Sequence, residues 1–154
     1  MTPSHEQIKS ITVGAAYIEL VDDKTVFHRF TKEQEELYKT VKKEFYNKAF
    51  SNSCIRLEFE TDSSSLFIKS HMTQRSSRTY YCHDIFVDGD LCGRLWGKFD
   101  EIPEAVKSGI AACQFNLGEK GKTKTVCIHL PWSYSSDIIE LSLDDGATLS
   151  PLKR

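Results

Sequence analysis

Two short stretches of the chain place nucleophile-type side chains beside an acid. In the first, Asp62 is followed by Ser63, Ser64 and Ser65. Ester hydrolysis by serine needs the hydroxyl, a base within hydrogen-bond reach and donors aimed at the developing oxyanion. The sharp strand-to-helix elbow that presents such a serine has the pattern Gly-x-Ser-x-Gly. Here Thr61 precedes the acid and the serines join two extended segments, so the stretch reads as a Ser/Asp turn. The second stretch, Cys82, His83 and Asp84, lines up a nucleophile, a base and an orienting acid. Adjacent strand residues point to opposite faces, however, and these three cannot converge. His71, His83 and His129 lack close ligand spacing such as His-Glu-x-x-His. No catalytic residue, metal ligand or cofactor is therefore assigned.

The aromatic residues are better candidates. Tyr80, Tyr81, Trp96, Trp132 and Tyr134 fall near predicted strand ends and connections. There they suit stacking on a sugar ring, and equally core packing or contact with another domain. Both uses remain open for these five positions.

The elements that hold these residues follow from composition and period. Lys and Arg number 20 against 22 Asp and Glu in 154 residues, with a formal net charge of -2 and the two signs interspersed. Such a chain lacks the concentrated basic face that nucleic acid requires. No apolar run approaches the length of a membrane span, and Met1 to Glu6 shows no signal-peptide core, so neither membrane insertion nor secretion is signalled. The cysteines Cys54, Cys82, Cys92, Cys113 and Cys127 are odd in number and widely spaced, which predicts free thiols in a reducing, cytoplasmic setting.

A largely apolar stretch from Ile11 to Leu20, turn residues Val21 to Lys24, and Thr25 to Phe30 predict a hairpin. Thr31 and Gln34 then form a capping-box pattern. Leu37, Val41, Phe45 and Ala49, joined by Tyr38, predict one apolar stripe on a helix running to about Phe50, laid against a sheet. From Ile55 the period becomes two, with Ile55, Leu57 and Phe59 alternating with charged residues. Asp88 and Gly89, between Ile85 to Val87 and Leu91 to Trp96, give the strongest hairpin signal. Ala111 to Leu117, Thr125 to Leu130 and Ile138 to Leu143 add further strands. Eight or nine short strands without strand–helix alternation predict a mainly β fold, a jelly-roll-like antiparallel β-sandwich with one amphipathic helix. Residues 1–147 form its single domain, and 148–154 read as a linker-like tail.

Four segments together resemble a family: SCIRLEFETDS at 53–63, DIFVDGDL at 84–91, HLPW at 129–132 and ELSLDDGA at 140–147. In order and spacing they are similar to the N-terminal β-sandwich domain that precedes GDSL/SGNH-hydrolase catalytic domains, over residues from about 28 to 147. The resemblance implies a parent esterase or lipase-like protein whose catalytic serine lies in a Gly-Asp-Ser motif of a downstream domain. Asp62 and Ser63 lack that glycine, and the family's oxyanion and Asp-x-x-His blocks are not found here. Two functions are thereby implied or left open. One is a non-catalytic accessory domain that packs against the catalytic domain of the same parent chain and shapes access for acylated carbohydrate or another small ester. The other is an independent carbohydrate-binding β-sandwich module. Thiol titration of the unfolded, unreduced protein is expected to count all five cysteines, and a lower count would overturn the free-thiol reading.

Overall fold

Alternating apolar residues build two antiparallel sheets whose inner faces meet. The computed structural model describes residues 1–99 and 107–153; Arg154, the end of the expected tail, lies outside them. The chain opens with helix α1 (His5–Ser10), the short strand β1 (Thr12–Val13) and strands β2 (Tyr17–Val21) and β3 (Lys24–His28). Helices α2 (Lys32–Val41) and α3 (Lys43–Ala49) lead to β4 (Arg56–Thr61), β5 (Ser65–Gln74), β6 (Tyr80–Val87) and β7 (Asp90–Lys98). Strands β8 (Ser108–Asn116), β9 (Lys124–His129), β10 (Tyr134–Leu143) and β11 (Ser150–Pro151) follow. One sheet has the order β1-β4-β9-β6-β7, with β11 also on β4, and the other β2-β3-β10-β5-β8. The mainly β sandwich expected from the sequence is the observed fold.

Inward residues of both sheets interlock. Leu57, Phe59, Ile85, Val126 and Ile128 from the first sheet and Leu66, Ile68 and Met72 from the second are fully buried. The two hairpin turns follow their local chemistry. Asp22 and Asp23 take φ of 48° and 60°, and Asp88 and Gly89 take 50° and 90°. Such paired positive values match the right-handed twist of the flanking strands and favour Asp and Gly over bulkier residues.

The helical region departs from expectation. Lys42 has φ −163° and ψ 130°, so the predicted single helix is two, α2 and α3. The predicted apolar stripe is also mostly turned outward: Leu37, Val41 and Phe45 are 60%, 61% and 45% exposed, and only Ala49 is buried. A carboxylate takes the inward position on α2. Glu35 accepts hydrogen bonds from Tyr17 Oη at 2.6 Å and contacts His28 Nδ1 at 2.8 Å, while the Tyr17 and His28 rings stack 4.0 Å apart. These partners satisfy a buried charge, and that satisfaction decides which face of the helix meets the sheet. Burial, followed by the hydrogen bond to Glu35, pushes the Tyr17 phenol well above its usual range.

Helix α1 was not anticipated. Ser4 and Gln7 form its reciprocal capping box, and Ile8 is buried beneath it. At the other end, Ser150 and Pro151 of the tail pair with Glu60 and Phe59. Truncating fully buried Phe59 to Ala is expected to lower stability by about 3–5 kcal/mol through lost transfer energy and a residual cavity. Urea unfolding of the two proteins measures it, and a loss below about 1 kcal/mol would contradict the packing described.

Candidate functional site

The serine turn crosses between the sheets, from β4 to β5, and its hydroxyls are occupied in making that crossing. Ser63 is fully buried. Its Oγ donates to the Ser65 carbonyl at 2.7 Å and accepts from the Asp144 backbone N–H at 2.9 Å. The Asp144 carboxylate accepts from the Ser65 hydroxyl at 2.6 Å and from the Ser64 hydroxyl and backbone N–H at 2.7 and 2.6 Å. Those bonds, the Ser65 hydroxyl first, hold the Asp144 carboxyl well below the usual carboxylate range. Buried Lys124 completes the turn by donating from Nζ to the carbonyls of Ser63 and Glu119, each at 2.7 Å. These bonds tie the β4–β5 turn to the end of β10 and to β9, so the turn latches the two sheets together, and among the described residues no histidine hydrogen-bonds the Ser63 hydroxyl.

The second candidate stretch is divided by the strand pleat. On β6, Cys82 and Asp84 face outward, with Sγ 3.6 Å from Asp84 Oδ1. His83 lies inward, fully buried, with Nε2 2.8 Å from Ser136 Oγ. Desolvation, then the Asp84 charge, pushes the Cys82 thiol up to about 11, leaving it protonated near neutral pH. Desolvation lowers His83 to about 4. A protonated thiol on one face and a neutral imidazole on the other do not form a nucleophile–base pair.

The five aromatic positions divide in the same way. Tyr81 and Tyr134 are buried at 8% and 0% exposure, their rings 5.7 Å apart at 69°. Tyr134 Oη donates to the Thr79 carbonyl at 3.1 Å. These two are core residues, because both stand at inward positions of their strands. Tyr80, Trp96 and Trp132 are exposed. Tyr80 and Trp96 share the outer face of the first sheet with Cys82, which is directly opposite Trp96. Trp132 follows β9 and borders the same face, with the Arg78 guanidinium 5.1 Å from its ring centroid.

Between these aromatics the register assembles a row that residue types alone did not reveal. Arg56 is opposite His129, His129 opposite Asp84, and Asp84 opposite Arg94, so four strands contribute one polar side chain each. Arg94 Nε donates to Asp84 Oδ1 at 2.7 Å, Arg56 pairs with Glu58, and the His129 ring meets the edge of Phe86 at 5.5 Å. Arg56, Cys82, Asp84, Phe86, His129 and Trp132 line an open depression of about 510 Å³. The strict alternation of β6 and β9 was the available signal, but it needed the pairing order to bring the row together. Among the described residues no group of His, Cys, Asp and Glu is arranged to hold a metal.

The fold has solved counterparts. The salicylyl-acyltransferase SsfX3 of a tetracycline biosynthetic pathway superposes with a TM-score of 0.73 at 23% identity, over 93% of this chain and 39% of that one. A protein from Bacteroides ovatus described as a GDSL-like lipase gives 0.63 at 18% identity, over 99% of this chain and 43% of that one. At these identities the likeness is one of fold, and this chain spans less than half the length of either neighbour. No family model matches the chain, and no curated protein matches it.

The buried imidazole has a pH signature. His83 is neutral when folded but takes up a proton near pH 6.5 when unfolded. Its contribution is thus fully present above about pH 6.5 and is lost as pH falls toward about 4, by an amount on the order of 3 kcal/mol. Urea midpoints between pH 7 and 5 should fall for the wild type, and His83→Gln should flatten that slope. An unchanged slope in the variant would remove His83 as its source.

Proposed function

We propose that this chain is the N-terminal accessory domain of a GDSL/SGNH-type ester hydrolase, itself non-catalytic, packing against the catalytic domain of the same parent chain and shaping access for acylated carbohydrate or another small ester. The observation that carries this reading is the pairing of full-length and partial coverage. Nearly all of this chain superposes on less than half of an acyltransferase and of a GDSL-like lipase. The interior chemistry agrees with it, since Ser63 is committed to the inter-sheet latch and His83 is buried away from Cys82. The exposed Leu37, Val41 and Phe45 side chains on α2 and α3 supply apolar area for the domain contact. Five free thiols suit a reducing, cytoplasmic compartment.

Parallel assays of this chain and of the full parent protein on p-nitrophenyl acetate and on an acetylated sugar test the proposal, each with a Ser63→Ala variant. This chain should match the uncatalysed background in both forms. The parent should hydrolyse ester and keep that activity in the Ser63→Ala variant wherever the turn stays folded. Turnover by this chain alone, abolished by Ser63→Ala with the fold intact, would defeat the reading.

A further inference from the structure

The outer face of the first sheet combines two chemistries that are seldom placed side by side without a ligand to match both. Trp96, Trp132 and Tyr80 are 69%, 49% and 41% exposed, large aromatic surfaces left in water at one end of the face. Arg78 sits over the Trp132 ring and restrains it. Beside them runs the row Arg56, His129, Asp84 and Arg94, one side chain from each of four adjacent strands. With strands roughly 4.8 Å apart, the row is about 14 Å long.

The row retains hydrogen-bonding capacity. Asp84 uses Oδ1 for both Arg94 and Cys82, and among the described residues Oδ2 has no hydrogen-bond partner. The His129 ring contacts Phe86 and makes no polar bond among the described residues. Arg94 donates from Nε to Asp84, which fixes both side chains while leaving the rest of the guanidinium fork to solvent.

These features select a ligand class by elimination. Nucleic acid or another polyanion meets Asp84 in the middle of the row, where a like charge opposes it. A protein partner prefers an interface centre depleted of charge, and here charges of both signs cross the centre. An acyl chain offers nothing to the row. A neutral ligand with flat apolar faces and a periphery of hydroxyl donors and acceptors satisfies both parts, and linked pyranose rings have that chemistry. We propose that this face is a carbohydrate-binding site, with Trp132 and Trp96 stacking on sugar rings and Asp84, His129 and the flanking arginines bonding their hydroxyls. The depression of about 510 Å³ is open, as a site for an extended chain needs to be. Every residue named here lies on this chain, and the proposal is tested apart from any esterase parent.

The protein has two tryptophans, Trp96 and Trp132, both on this face, so intrinsic fluorescence reports on the site. The probes are xylohexaose, cellohexaose and mannohexaose, each titrated into the 154-residue chain, with glycerol as a hydroxyl-bearing control that lacks a ring face. At least one oligosaccharide should give a saturable change in emission below roughly 10 mM, the range of weak specific binding, and glycerol none. Trp132→Ala, read through Trp96, and Asp84→Asn, read through both tryptophans, should each weaken binding on the order of tenfold. Leu20→Ala, exposed on β2 of the other sheet, should leave it unchanged, and circular dichroism checks that each variant is folded. No saturable change with any of the three sugars overturns the proposal. So does binding that survives both Trp132→Ala and Asp84→Asn, because the ligand would then be held elsewhere.

Discussion

In a two-layer sandwich, strand alternation commits every side chain either to the shared core or to solvent, and neighbouring residues receive opposite assignments. Much of this molecule follows from that constraint. It sends His83 into the core against Ser136 while Cys82 and Asp84 stand outside, and so dissolves a stretch that looks like a triad when written as letters. The same pleat separates Tyr80 from Tyr81, giving one ring to the surface and the other to the interior. Because strand pairing then aligns the outward residues of β4, β9, β6 and β7, the row from Arg56 to Arg94 requires no loop to build it.

Packing two sheets also obliges the chain to cross between them, and a crossing leaves backbone groups without a ladder partner. Short polar side chains fill those vacancies. Asp144 and the three serines do so between β4 and β5, with Lys124 capping two carbonyls. Asn52 does so before β4, donating to the Phe27 carbonyl at 3.2 Å and accepting from the Ser136 backbone N–H at 2.5 Å. Buried polar groups are tolerated where they are bonded, and these are bonded on several sides. A serine cluster beside an acid is thus what an inter-sheet turn needs, and its likeness to a hydrolase motif arises from the shared use of oriented hydroxyls.

Local chemistry was the legible part of the sequence. The Asp88 and Gly89 hairpin and the Thr31 and Gln34 capping box appear where their residue types placed them. The Ser4 and Gln7 box is of the same type and went unread because α1 is short and precedes no long apolar stripe. The helix stripe misled for a different reason: hydrophobic period assumes that a helix buries its apolar side, and here the two polar partners of Glu35 outweigh that preference while Lys42 breaks the phase. Contacts far apart in sequence left no local trace, as with Ser63 and Asp144, separated by 81 residues. For the same reason the candidate site was half legible. Its aromatic types could be picked out, but which of them share a face with Asp84 and His129 depended on strand order.

The two outward surfaces differ in a way that bears on their uses. Leu37 and Val41 on α2 and Phe45 on α3 are exposed apolar side chains, with charged residues of both signs on the same helices. Burial of such side chains needs only shape and area, which another folded domain supplies. The sheet face instead interleaves aromatic rings with ion-paired and unfilled polar groups on β4, β9 and β6, each paired on both sides, and on the edge strand β7. Covering it with an apolar surface would strand Asp84 and His129 without water, at a penalty that grows with each unsatisfied group. A ligand that brings its own hydroxyls avoids that penalty, and rigid strands hold the opposing groups in place before it arrives. The proposed contact with a domain and the proposed contact with a sugar therefore fall on different sides of one sandwich, and neither has to give way to the other.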